Sequence, residues 1–251
     1  MSIVVAQGTS EHSERLARFS ERVSFRPAEG QADREAVYQL RYQAYRRQNL
    51  LNDDIERRLF DERYDNAPNG CSVMMFIDGD LASTVRVHIG SEPEAILPSL
   101  TVFSDVIMPH LQAGELLVDP TRLAADLAMS RRFPELPYFA MRPAWMAAQY
   151  FNADYVLATT VEVHAAFYRR TFGYQLWCGP RSYPTVTVKI VCMAAGFAAG
   201  RAAVEARYPI FRLADAECER LFGALARLRL PAGTRVRTAP APLAPSRLAA
   251  V

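Results

Sequence analysis

Lysine is almost absent from this sequence: Lys189 is the only one, and every other side-chain cation is arginine. The charges nearly cancel, with 29 basic against 27 acidic residues and a formal net charge of +2. A chain so close to neutral lacks the broad positive field of a general nucleic-acid binder, so no nucleic-acid partner is expected. An arginine-only cation supply has two readings. One is a compositional bias; the other is a local patch that docks carboxylates or phosphates through the guanidinium fork. Cysteine is scarce as well. Cys71, Cys178, Cys192 and Cys218 are far apart and form no CxxC or Cys/His spacing, so no metal site is expected. They read as small core residues in a reducing compartment. No cationic start followed by an apolar run opens the chain, and no apolar run reaches about 18 residues. A signal peptide and a transmembrane segment are therefore not expected, and the expected location is cytoplasmic. The phosphate-cradling GxGxxG and GxxxxGK[ST] loops are missing too.

Half of the 251 residues are apolar, enough for a sizeable core. Residues 1–9 read as loosely structured. Helical spacing is expected over 10–22, and over Gln31–Arg47 with Ala36, Val37, Leu40, Ala44 and Tyr45 on one stripe. VSFRPA between them is extended. A polar loop, LNDDIERRLFDERYDNAPNG, leads to CSVMMFI, the turn DGD and LASTVRVHI, and Asp-Gly between apolar runs is a strong hairpin signal. ILPSLTVFSDVIMPHL reads as a short helix bounded by prolines, and GELLVDPTRL as a strand. PYFAMRPAWMAAQYF reads as a helix interrupted at Pro143, DYVLATT as a strand, VHAAFYRRTF as a helix stopped by Gly173, and YQLWC and TVTVKIVCMAA as strands. Helices are expected over 199–208 and 214–229, and the Pro/Ala-rich stretch 231–251 reads as a flexible tail. This order gives an α/β fold, a mixed sheet with helices packed on it, without regular βαβ alternation.

DYVLATTVEVHAAFYRRTFGYQL resembles the second half of the GNAT acyltransferase fold through Ala165, Phe167, Tyr168, Phe172, Gly173 and Tyr174. Upstream, LRYQAYRRQNLL resembles the R-x-x-x-(F/Y) helix of autoinducer synthases and N-acyl amino acid synthases, and ERYDNAP resembles their acidic loop. LASTVRVHI resembles their strand carrying Arg86, LPSLTVF the segment carrying Phe103, and VDPTRL their E-x-(S/T)-R strand. The pieces arrive in the right order from Arg41 to Leu176. The chain thus resembles the N-acyl amino acid synthase (FeeM-like) branch, close to the acyl-homoserine lactone synthases. Departures are Asp119 where Glu is usual, Glu62 where an Asp is expected, and no tryptophan near Leu51. The resemblance implies one GNAT-like (acyl-CoA N-acyltransferase) domain over 1–230, its helical extension at 199–230, with a central mixed twisted sheet flanked by helices.

It also implies the reaction: a fatty acyl chain passes from a thioester to the amine of an amino acid or similar small molecule. After the VDPTRL strand comes LAADLAMSRRFPELPYF, which has no glycine. A coenzyme A pyrophosphate cradle of backbone N–H groups at a helix start is therefore not expected. The implied donor is the phosphopantetheine thioester of acyl carrier protein, with no resident cofactor; acyl-CoA is the alternative. Arg131, Arg132 and Arg142, with Arg169, Arg170 and Arg181, form the expected docking patch for that acidic partner. The catalytic candidates are Asp119, Glu62 or Asp65 as base for the ammonium, and Tyr168 as acid for the leaving thiolate. Arg41, Arg86, Phe103, Thr121 and Arg122 are the substrate-binding candidates. Phe103, Tyr138, Phe139, Met141, Trp145 and Met146 are candidate walls of an acyl channel. On a regular strand Asp119 and Arg122 face opposite sides; a bulge near Pro120 would bring both into one cleft. A lactone synthase using S-adenosylmethionine and a non-catalytic GNAT-like binding module are the other readings.

Overall fold

A computed structural model describes residues 2–51 and 57–229, with side chains described for 11–51 and 57–226. The tail expected at 231–251 and part of the polar loop lie outside these residues. The elements in chain order are α1 (Ser2–Ser20), β1 (Val23–Pro27), α2 (Gly30–Arg47), α3 (Glu62–Asp65), β2 (Gly70–Ile77), β3 (Asp80–Gly90), α4 (Leu100–Gln112), β4 (Leu117–Ala125), α5 (Leu127–Arg132), α6 (Leu136–Phe151), β5 (Tyr155–Thr160), α7 (Ala165–Phe172), β6 (Gln175–Ser182), β7 (Lys189–Gly196), α8 (Phe197–Arg207) and α9 (Asp215–Arg229). The strands form one seven-stranded sheet in the order β1-β2-β3-β4-β5-β7-β6. Every neighbouring pair is antiparallel except β4–β5.

Local chemistry explains most of these elements. Asp78 and Gly79 take φ of 53° and 90°, the primed geometry that matches strand twist and joins β2 to β3. Gly173 stops α7 at φ 71°. Gly70 is required by close approach, since a Cβ there would lie 2.5 Å from the His88 ring. Four expectations need correction. The first helix begins at Ser2 rather than 10, as no proline interrupts it. Pro109 lies inside α4 and does not end it; the kink falls at Phe103 (φ −118°, ψ 28°). The α6 helix runs through Pro143 unbroken, because its burial on nearly every side outweighs one lost backbone hydrogen bond. Thr185–Val188 is a turn and bend, so β7 starts only at Lys189.

The sheet is covered on both faces. Val73, Met75, Val87 and Val118 pack with α1, α6 and α9, where Leu16, Phe139, Trp145 and Phe222 are buried. On the other face Leu117, Leu157 and Cys192 pack against Phe103, Ile107 and Leu111 of α4, and Met74 packs against Val37 and Tyr38 of α2. The β4–β5 ladder holds only Leu117↔Tyr155 and Val118↔Val156. Beyond these pairs the strands part, and a gap opens through the middle of the sheet.

Candidate active site

The segment that seeds the site is VDPTRL on β4. Pro120 pairs in register with Val87 and Thr121 with Arg86, then Ala124 pairs with Thr84. Arg122 and Leu123 therefore oppose Val85 alone, which is a β-bulge. Arg122 absorbs it at φ 53°, a left-handed conformation that costs a non-glycine residue about 1 kcal/mol. The expected bulge exists, two residues further along than Pro120. It does not bring Asp119 and Arg122 into one cleft. Asp119 lies on the α4 face beside Leu117, whereas Arg122 faces the gap.

That gap is a cavity of about 510 Å³, within the range of roughly 300–1,000 Å³ typical of small-molecule sites. Pro120–Ala125 of β4 and Ala158–Thr160 of β5 form its sides. At one end it is apolar, walled by Leu136, Ala140, Met141 and Ala144 of α6. At the other it is polar, walled by Tyr45 and Gln48 near the end of α2, Arg122 and Tyr183. Residues from both faces of the sheet line it, so it passes through the splay. Arg122 Nη2 donates to Thr185 Oγ1 at 2.9 Å, and its guanidinium lies 5.5 Å from the Tyr45 ring centre. Among the described residues no carboxylate pairs with it. The roof over this end is pinned to the turn that follows α2: Thr187 N donates to Leu50 O at 3.1 Å, and Thr187 Oγ1 to Asn49 O at 2.6 Å.

Behind the polar end lies a buried ion cluster. Arg41 Nη1 donates to Asp65 Oδ1 at 2.8 Å and Arg41 Nη2 to Ser72 Oγ at 2.6 Å. Arg86 Nη1 is 3.1 Å from the same Asp65 oxygen, an ionic contact without hydrogen-bond alignment, and Arg86 Nε donates to Thr121 Oγ1 at 3.3 Å. The Asp61 backbone N–H caps Asp65 Oδ2 at 2.8 Å. Burial pushes Asp65 upward, but the two guanidiniums and these hydrogen bonds outweigh it and hold the carboxyl below the usual range. His88 is buried beside this cluster. Desolvation first, and then the Arg86 charge, lower it to about 3, and its Nε2 lies 3.0 Å from Tyr64 O.

Asp119 is fully enclosed. Its Oδ2 accepts from Ser99 N at 2.8 Å and its Oδ1 from Ser99 Oγ at 2.7 Å. It thereby closes the start of α4, where Ser99 is the cap residue with no capping bond of its own. Burial raises its pKa and the two Ser99 hydrogen bonds offset part of that rise. Ser99 Oγ is also 3.4 Å from Thr159 Oγ1, and Thr159 lines the cavity.

Of the predicted residues, Arg86, Thr121, Arg122 and Tyr168 line the cavity. Asp65 and Arg41 stand behind it as the ion cluster. Arg86 and Arg41 tie the acidic loop to the sheet through Asp65; Arg122 takes no part in that tie. Glu62 is exposed on α3 and does not line the cavity. Phe103 is buried under α4, with the Arg181 guanidinium 5.5 Å over its ring, and is not a cavity wall. Of the expected acyl-channel residues only Met141 reaches the cavity; Phe139, Trp145 and Met146 are core, and Tyr138 packs with His12, Phe167 and Tyr208. Arg131 and Arg132 are exposed. Arg142 cannot join a docking patch, because it is buried and donates to Glu217 at 2.9 Å. Arg181 is held by Asp105 through bonds of 2.6 and 2.8 Å. The polar groups that the sequence reading left out are Ser99, Thr159, Tyr183 and Thr185. Only Ser99 carried a signal, as a serine just before a helix.

The sheet order, with one parallel pair splayed around a through-going cavity, defines a GNAT-like N-acyltransferase fold. The family described as N-acyl amino acid synthase FeeM matches residues 36–196, more than half of the chain. The chain belongs to this family and is an N-acyltransferase of the N-acyl amino acid synthase and acyl-homoserine lactone synthase group. In fold it is similar to FeeM, an N-acyl amino acid synthase from uncultured soil microbes, at 16% identity and TM-score 0.61 over 72% of this chain and 95% of that one. It is similar also to the AHL synthase LasI (16% identity, TM-score 0.51, 70% and 89% of the two chains). A third similar structure is BjaI, a CoA-dependent acyl-homoserine lactone synthase (12%, 0.50, 79% and 97%). No curated protein sequence matches. Among the described residues no helix is long and apolar enough to cross a membrane, and no group of three or more His, Cys, Asp or Glu residues is arranged to hold a metal ion.

Proposed function

We propose that this enzyme moves a fatty acyl chain from an acyl carrier protein thioester to the α-amine of an amino acid. The observation that carries this reading is the polarity of the cavity. One end is an apolar sleeve on α6; the other presents Arg122, a guanidinium with no carboxylate partner among the described residues, beside the ion cluster. Among the described residues, Arg41, Arg86 and Arg122 exceed Asp65 and Asp119 by one positive charge. A free amino acid brings the carboxylate that balances this surplus and that suits a planar fork. The acyl chain lies along α6, the amino acid lies by Arg122, and the thioester carbonyl sits in the splay, where backbone N–H groups beyond Val118 have no β5 partner to bond.

The ammonium must lose a proton before it attacks. Thr159, Ser99 and Asp119 offer a hydroxyl relay with steps of 3.4 and 2.7 Å, ending on a carboxyl that burial makes a better proton acceptor than an ordinary aspartate. Asp119 works through Ser99, Arg41 and Asp65 hold Arg86 in place, and no role is assigned to Glu62. Tyr168 stands at the cavity with its hydroxyl raised to about 12, by burial foremost and against a Thr160 hydrogen bond. That value lies far above a thiol near 8.5, so full proton transfer to the departing thiolate is uphill. Tyr168 is assigned a hydrogen bond to the sulfur instead.

The carrier protein is preferred as donor because of α5. One of its first free N–H groups, that of Met129, is closed by a carboxylate, Asp126, at 2.9 Å. A negative group at that position repels a pyrophosphate, and no glycine lets a backbone cradle form. Exposed Arg131 and Arg132, about one and a half turns further along α5, suit an acidic protein. The test offers purified enzyme acyl carrier protein and coenzyme A thioesters of one fatty acid, with a pool of amino acids, and reads products by mass spectrometry. An N-acyl amino acid formed faster from the carrier protein is expected. A preference for acyl-CoA overturns the donor assignment, and an acyl lactone formed only with S-adenosylmethionine overturns the acceptor.

A further inference from the structure

The four cysteines are scattered in sequence, yet two of them meet in the sheet. Cys178 of β6 and Cys192 of β7 are direct partners in the antiparallel ladder. Both side chains belong to the same apolar cluster under α4, so they point to the same face. Residues directly opposed in such a ladder have Cα atoms about 4.5–5.5 Å apart, which falls inside the roughly 4.4–6.8 Å span of a disulfide. Both are free thiols.

We infer that Cys178 and Cys192 are a built thiol pair that a small-molecule disulfide of the glutathione class converts to a cross-strand disulfide. Three features fit. Cys178 is half-buried on β6, the last strand of the sheet, and so is open to a small oxidant from the edge. Register shifts fall on both sides of it, between Leu176 and Cys178 and between Cys178 and Arg181. The ladder there is already irregular and can adjust to the S–S torsion. Cys192 is buried on the adjacent strand as the ladder partner of Cys178. The chemistry is two exchanges. The Cys178 thiolate attacks the small disulfide, forms a mixed disulfide and releases one thiolate. Cys192 then loses its proton and attacks Cys178 Sγ, and the second small thiolate leaves. In sum two protein thiols and one small disulfide give one protein disulfide and two small thiols. Burial raises Cys192 to about 12, so the second exchange is the slow one.

The place of the pair gives the bond a consequence. The turn between β6 and β7 carries Tyr183 and Thr185, and Thr185 holds Arg122 at 2.9 Å. Cys192 is also the ladder partner of Thr159, which lines the cavity. The bond would therefore fix the base of the hairpin that roofs the polar end. Cys71 and Cys218 are internal controls, Cys71 half-buried and Cys218 buried, both in other parts of the molecule and each raised to about 12 by desolvation.

The experiment incubates the full-length enzyme with oxidised glutathione, blocks free thiols with an alkylating agent under denaturing conditions, and maps peptides without reduction. The expected result is a fall from four free thiols to two, with one cross-linked peptide joining Cys178 to Cys192 and release on reduction. Cys71→Ser/Cys218→Ser is expected to keep the cross-link, and Cys192→Ser to stop at a glutathione adduct on Cys178. Four thiols remaining in the wild-type enzyme, a glutathione adduct on Cys178 that never closes, or a cross-link to Cys71 or Cys218 would overturn the inference.

Discussion

Two arginine environments lie side by side, Arg41 of α2 with Arg86 of β3 in one and Arg122 of β4 in the other, and they live under opposite rules. Arg41 and Arg86 are buried on one carboxylate, Asp65, with hydroxyls and a backbone N–H completing the cluster. Arg122 reaches the cavity with one hydroxyl partner and no carboxylate among the described residues. A buried charge without compensation is costly, so the first set is a fixture of the fold. The second has no countercharge among the described residues, which is why the proposed function gives it the substrate carboxylate. The backbone agrees: Arg86 lies in regular strand, whereas Arg122 is held at φ 53° on a bulge that aims it at the gap.

The sharpest way to break this comparison is to remove the shared carboxylate. Asp65→Asn leaves two buried guanidiniums facing each other, and a loss of about 3–5 kcal/mol is expected, in line with removing one partner of a buried pair. Urea unfolding checks it; a loss below 1 kcal/mol would mean that water enters the cluster and that the contrast with Arg122 is unreal.

The next effect tests how intolerant the buried side is of more positive charge. His88 is held at about 3 in the folded protein, against about 6.5 in an unfolded chain. A lowered histidine binds its proton only when unfolded. Its contribution is therefore complete above about pH 6.5 and is lost as the pH falls toward 3, at up to about 1.4 kcal/mol per pH unit. Asp65 and the other paired carboxylates lose stability in acid as well, so the variant carries the test. His88→Gln keeps a donor for Tyr64 O, and its unfolding free energy should fall less than that of the wild type between pH 6.5 and 4.5. Parallel curves would show that His88 is not the group titrating there.

On the open side, Arg122→Gln should leave stability within about 1 kcal/mol, since only a hydroxyl contact is lost. It should raise the KM for the amino acid by roughly 10- to 100-fold, the worth of about 1.5–3 kcal/mol for hydrogen bonds to a charged group. The KM for the acyl donor should not move. A collapse in stability with unchanged KM would place Arg122 with Arg41 and Arg86.

The sequence carried one side of this comparison better than the other. Arg41, Arg86 and Asp65 stand in motifs that mark them as site residues, as substrate-binding candidates and a base candidate; that they close on one another as a buried ion cluster shows only in the fold. Asp119 and Arg122 were legible as a pair in a strand, but their destinations were not. A bulge shifts every later side chain, and its position depends on how β3 and β4 register, two segments about forty residues apart in sequence. Pro120 was the obvious site for it, yet as the partner of Val87 it fits the ladder. Phe103 and the aromatic stripe of α6 failed for another reason. An apolar residue looks the same in sequence whether it fills a core or walls a cavity, and only the small residues Ala140 and Ala144, with Met141, leave room. The carboxylate that closes the start of α4 comes from a different strand, so Ser99 alone could not announce it.

The smallest effect concerns a third arginine environment, the exposed Arg131 and Arg132 at the end of α5. Rim charges of this kind steer encounter more than they hold a complex. Arg131→Glu/Arg132→Glu should therefore lower kcat/KM for the carrier-protein donor several-fold at low salt and hardly at all above about 0.3 M salt, where charges beyond roughly 6 Å are screened. The KM for the amino acid and the Tm should stay as in the wild type. The same pair of substitutions separates the donors, because an acyl-CoA thioester carries its own phosphates but no acidic protein surface. Equal losses with both donors would place these arginines at the phosphopantetheine entrance, and no loss with either would leave them as solvated surface.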